Sequence, residues 1–173
     1  VISEIVGQLK GGDRRSIGAV PKVVDQALAN PPLFSKVFAG MDNADPVVRM
    51  PCGDAVEKIT ARNPAYLRSY KRHLIQLAQT AKQQEVRWHI AQLFSRLRLS
   101  ASQRRKVATI LSGYLTDKSR IVKTFSMQAL AHIAANDVTL RAPILRQLRH
   151  LVEAGSPAMR SRGRKLLASL KRE

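Results

Sequence analysis

Four stretches of this chain repeat one pattern at nearly constant spacing, and that repeat limits the fold more than any other feature. Pro46-Val47-Val48-Arg49, Glu85-Val86-Arg87, Ile121-Val122-Lys123 and Ala158-Met159-Arg160 each place an apolar residue directly before a basic one. The basic residues recur after 38, 36 and 37 positions. Counting on from each, the sixth, seventh and tenth residues are apolar in every copy: Ala55, Val56, Ile59; Leu93, Phe94, Leu97; Ala129, Leu130, Ile133; and Leu166, Leu167, Leu170. On a 3.6-residue period these positions share one stripe, the signature of an amphipathic helix. Periods of this length are characteristic of stacked repeat architectures.

Each of these helices is preceded by another with its own start signal. Asn30-Pro31-Pro32-Leu33, Asn63-Pro64-Ala65, Ser100-Ala101-Ser102 and Asn136-Asp137 set a capping side chain ahead of an apolar run. Asn63, Ser100 and Asn136 repeat at 37 and 36. Asp45-Pro46 and Ser156-Pro157 supply a cap with proline at the first helical position. The unit is therefore helix, turn, helix, and no segment alternates with the period of a strand. Pro51 falls inside a second helix and predicts a kink there; Pro143 raises the same question for the last first-helix.

Asp45-Pro46-Val47-Val48-Arg49, Glu85-Val86-Arg87 and Ser156-Pro157-Ala158-Met159-Arg160, each with its apolar triplet, resemble HEAT repeats. The resemblance covers about residues 30–171. It implies one all-α, right-handed α-α superhelix of the armadillo-like kind, with a partial unit over about residues 1–29, most evident from Arg14 to Ala29. Repeats then follow at about 30–62, 63–99, 100–135 and 136–173. It also implies that second helices line a concave binding face. A solenoid buries each hairpin only against its neighbours, so large aromatics are unnecessary. With aromatics at 5% of 173 residues, the core is expected to be Leu, Ile, Val and Ala.

Charge points to a partner. Residues 1–61 hold seven basic and seven acidic side chains, whereas residues 62–173 hold 23 against five and carry the whole net +18. Such an excess favours a polyanion, either an acidic protein or nucleic acid; a merely solvated Arg-rich surface is the alternative. If second helices stack roughly 10 Å apart, equivalent positions form rows. Arg49, Arg87, Lys123 and Arg160 form one. HEAT units resemble one another in pairing this residue with a carboxylate six positions earlier; here only Asp117 fits, before Lys123, while Asn43, Ala81 and Ala154 precede the others. A structural role and partner contact both remain open for this row. A second row is Lys58, Arg96 and His132, on a flank expected to be solvated. On the other flank lie His89, Phe125 and Arg162, and the last helix adds Arg164, Lys165, Lys171 and Arg172. Basic residues on first helices, such as Arg104, Arg105, Lys106, Arg146 and Arg149, make the convex side positive as well. Trp88 points away from the apolar stripe, either as an interface anchor or covered by a neighbouring repeat.

Enzymatic constellations are scarce. His73, His89, His132 and His150 include no His-Glu dipeptide and no pair four apart, so neither the metal-binding HEAT oxygenases nor a helical metal pair is matched. Gly11-Gly12 is a turn signal without a phosphate-loop lysine, and Cys52-Gly53 reads as small packed residues rather than a nucleophile. The alkylpurine DNA glycosylases are similar in using HEAT-like repeats, and Trp88 with Asp54 or Glu57 is the only set that would serve them. The expectation is a non-enzymatic binding module with no cofactor or metal and no small-molecule substrate. A single cysteine excludes a disulfide framework and any thiolate zinc cluster, and suggests a reducing, cytoplasmic setting. No apolar run approaches a membrane span. Val1–Lys10 lacks the order of a secretion signal, and the missing methionine suggests a trimmed start.

Overall fold

The computed structural model describes residues 3–10 and 17–171, so Gly11-Gly12, Arg14 and Arg172 lie outside the described residues. Among those described, every regular element is helical. The helices gather into two compact units, one within the first 97 residues and the other from Arg98 onward.

In the first unit, α1 (Glu4–Gly7), α2 (Val20–Ala29), α3 (Leu33–Ala39) and α4 (Pro46–Arg62) are followed by α5 (Lys71–Thr80) and α6 (Gln84–Phe94). A 3-10 turn, Gly40–Asp42, joins α3 to the chain entering α4; a second, Pro64–Tyr70, leads into α5. Helix α4 is central and packs on α2, α3 and α6. Its stripe of Val48, Ala55, Val56 and Ile59 is fully buried, as are Leu67, Leu74, Ile90 and Leu93. The aliphatic-core expectation fails where aromatic rings enter the core: Phe94 and Tyr114 are buried, and a group of rings gathers around α3. Phe34 lies 4.9 Å from Tyr66 and 5.3 Å from Tyr70, and Phe38 lies 4.4 Å from Tyr70, ring to ring. The short α3 offers few aliphatic positions, and these rings fill the space between it and the Pro64–Tyr70 turn.

The second unit comprises α7 (Ala101–Tyr114), α8 (Arg120–Asn136), α9 (Val138–Ala154) and α10 (Pro157–Leu170). Helix α8 packs against α7, α9 and α10, and α9 packs against α10. The repeated triplet does what its period predicts: Ala129, Leu130, Ile133, Leu166 and Leu170 are buried, while Leu167 is partly buried. The apolar residue before each basic one is buried in all four copies, at Val48, Val86, Val122 and Met159.

Caps sit where residue chemistry asks for them, with two shifts. The Asp45 side chain accepts from the Val47 N–H at 2.9 Å, and Asn63 accepts from Ala65 at 3.1 Å. Ser100 and Gln103 form a reciprocal capping box. Asn136 is not a cap. Helix α8 continues through it, and Asp137 caps α9 by accepting from the Thr139 N–H at 3.1 Å. Asn30 contributes its backbone carbonyl to the Leu33 N–H rather than a side-chain cap. Pro51 and Pro143 both lie inside continuous helices, each at the sixth residue.

Candidate polyanion interface

The first basic row begins as a structural device. In the turn before α4 the Asn43 carbonyl has no helical partner, and Arg49 Nη1 donates to it at 3.0 Å while Nε donates to Gln83 Oε1 at 2.7 Å. Gln83 in turn donates to the Pro46 carbonyl at 3.1 Å. Arg87 Nε donates to the Ala81 carbonyl at 2.7 Å, at the end of α5. The six-residue offset expected for a carboxylate is thus kept, but a backbone carbonyl replaces the acid. That substitution works because helix ends leave carbonyls orphaned. Asp117, the only acid at the expected spacing, accepts from the Ser119 N–H.

The second row is likewise engaged in this unit. Lys58 pairs with Asp54 one turn before it. Arg96 reaches back from beyond α6 to the Glu57 carboxylate, to the Glu57 carbonyl at 2.6 Å and to Thr60 Oγ1 at 2.9 Å. Both acids proposed to accompany Trp88 are therefore held in ion pairs. Trp88 itself is partly buried, with its ring 5.7 Å from that of His89.

His89 departs furthest from a solvent-facing position: it is buried. The cause lies on α4, where Gly53 has no side chain. A Cβ there would stand 2.9 Å from His89 Cδ2. The imidazole fills that space, and its Nδ1 has no hydrogen-bond partner among the described residues. Burial pushes its pKa down to about 4, against the opposing pull of Asp54 and Glu57 and together with the repulsion of Lys58. At neutral pH it is an uncharged packing residue, not a phosphate contact. Cys52, next to Gly53, is fully buried; burial pushes its thiol up to about 12, far from a reactive thiolate.

From Arg98 on the picture reverses. Sixteen Lys and Arg stand against four Asp and Glu in this part of the sequence. Among its described residues twelve of the basic side chains are exposed, and Glu153 is the single exposed carboxylate. Asp137 is buried; hydrogen bonds from Thr139 and from Arg104, whose Nε stands 2.7 Å away, push its pKa down to about 2. Arg141 donates to the Leu170 carbonyl at the end of α10. Of the expected contact residues here, Arg160, Arg162, Arg164, Lys165 and His132 are exposed and Lys123 is partly buried. Arg162 Nη1 donates to Gln128 Oε1 of α8 at 3.1 Å, which fixes one edge of the surface. Helix α10 holds four of these cations and no acid.

No family model matches this chain, and no curated protein matches it. Among solved structures it is similar to one described as the crystal structure of an engineered protein, from the Northeast Structural Genomics Consortium. The two share 14% identity and a TM-score of 0.66, over 97% of this chain and 78% of that one. At that identity the likeness concerns fold alone.

Three structural cations escape sequence reasoning: Arg104 on Asp137, Arg141 on the end of α10, and Arg96 on Glu57. Their partners lie 29 to 39 residues away, close to one repeat length. That offset is the signal that would have found them. Among the described residues no cluster of His, Cys, Asp and Glu is arranged to hold a metal ion, and no helix is long and apolar enough to cross a membrane.

Proposed function

We propose that this chain is a non-enzymatic, HEAT-like binding module whose hairpins stack as a short solenoid and whose second unit binds a polyanion. One observation carries this reading: twelve exposed cations face a single exposed carboxylate among the described residues from Arg98 on. Charges exposed on a folded surface are available to a partner, whereas those of the first unit's expected rows (Arg49, Lys58, Arg87 and Arg96) are held in internal bonds. The interface therefore centres on Arg160, Arg162, Arg164 and Lys165, with His132 at its margin.

Charge reversal tests this directly. Arg160→Glu/Arg164→Glu/Lys165→Glu is compared with Lys22→Glu/Lys36→Glu/Arg68→Glu, which changes net charge equally using exposed cations of the first unit. Affinity for heparin is measured across a salt series, with circular dichroism to verify the helices. The second-unit variant is expected to lose at least about tenfold more affinity than the control and to flatten the salt dependence, since with each lost contact fewer counterions are released on binding. Equal losses in the two variants would contradict the assignment.

A further inference from the structure

Resting on that reading, we propose that the polyanion is a nucleic-acid duplex, held by its phosphates without reading of bases. After Leu97 the sequence contains two aromatic residues, Tyr114 and Phe125; the first is buried and the second partly buried. Single strands are gripped by stacking exposed bases on aromatic rings, each such contact contributing substantial affinity. Among the described residues of this unit no Phe, Tyr or Trp ring is exposed to offer that platform, and the exposed rings are the smaller imidazoles of His132 and His150.

The same surface is poorly suited to an acidic protein. Protein interfaces are anchored by a buried apolar or aromatic centre within a polar rim. Here the large exposed apolar side chains are Ile121 and Val138, single residues at the first turns of α8 and α9. Among the described residues the exposed charges of the unit are otherwise guanidinium and ammonium with the one carboxylate of Glu153, so a rim exists without a centre.

A duplex asks for neither ring nor apolar anchor. It presents one phosphate charge for about every 1.7 Å of axis, so a rigid cationic surface finds partners in any register. Arg160, Arg164 and Lys171 lie at intervals of four and seven residues, close to whole turns, and so fall along one side of α10 and the residue after it. At 1.5 Å per residue that line is roughly 16 Å long, a length of duplex axis that carries about ten phosphate charges on its two strands. Arginine predominates, and its planar fork matches two phosphate oxygens at once. Nothing in this arrangement favours one base sequence over another.

The test uses the whole chain and four kinds of probe of matched length or charge: mixed-sequence DNA duplexes of two unrelated sequences, the corresponding RNA duplexes, one of the DNA strands alone, and poly-glutamate. Binding is followed by fluorescence anisotropy at about 0.1 M salt, where screening still leaves phosphate contacts effective. A duplex of either sugar is expected to bind at least about tenfold more tightly than the single strand or poly-glutamate, and two unrelated duplex sequences within about threefold of each other. The two sugars bound side by side tell which duplex is preferred. Equal or tighter binding of the single strand or poly-glutamate would overturn the duplex proposal while leaving a polyanion module standing. A strong preference between duplex sequences would overturn the absence of base reading. Binding to none of the four would overturn both proposals.

Discussion

His89 packs into the space that Gly53 leaves on α4, and this pairing makes the first unit acid-sensitive. Unfolded, an imidazole titrates near 6.5; here burial holds it to about 4. Between those values the unfolded chain takes up a proton that the folded chain refuses, so acid favours unfolding. The contribution is whole above pH 6.5 and falls away towards pH 4, by up to roughly 3 kcal/mol. Urea midpoints measured from pH 7 to pH 4 are expected to fall more steeply for the natural chain than for His89→Leu; parallel curves would contradict this. Gly53→Ala forces a methyl against the imidazole and is expected to cost about 1–3 kcal/mol, read from the same titrations at pH 7. The sequence marks Cys52-Gly53 as small packed residues, but not what packs on them. The imidazole arrives from a helix one repeat later, and helical periodicity describes each helix without its neighbour.

Helices are where the sequence speaks most plainly. The triplet Ala55, Val56 and Ile59 and its three later copies turn inward as a 3.6-residue period requires. Cap placement is less legible where two capping residues adjoin. At Asn136-Asp137 either side chain suits a helix start, and tertiary context chooses: Asp137 also receives Arg104, which a neutral amide would satisfy less well. Asp137→Ala removes the α9 cap and strands the guanidinium, an expected loss of about 1–3 kcal/mol in thermal or urea unfolding at pH 7. Asn136→Ala, whose side chain only returns to the His132 carbonyl from an exposed position, is expected to cost less than about 0.5 kcal/mol. The opposite order would show that the cap has been misassigned. Arg49 and Arg87 carry the same lesson. Their spacing was visible, but a backbone carbonyl has no letter in a sequence, so its service as their acceptor was not.

At the scale of the whole molecule, charge separates what the repeat makes similar. The first 97 residues carry fourteen basic and eight acidic side chains, and the acids there occupy Lys58, Arg62 and Arg96. After Leu97 carboxylates are too few to do the same, so the excess faces solvent. Net charge alone could not locate the exposed cations, because pairing depends on which helices meet. Amide hydrogen exchange with and without a bound DNA duplex tests this division most directly. Protection is expected along α10 and the neighbouring exposed cations of the second unit, with α4 and α6 unchanged. Protection centred on the Arg49, Arg87 and Arg96 side of the first unit, with α10 exchanging as freely as before, would contradict it.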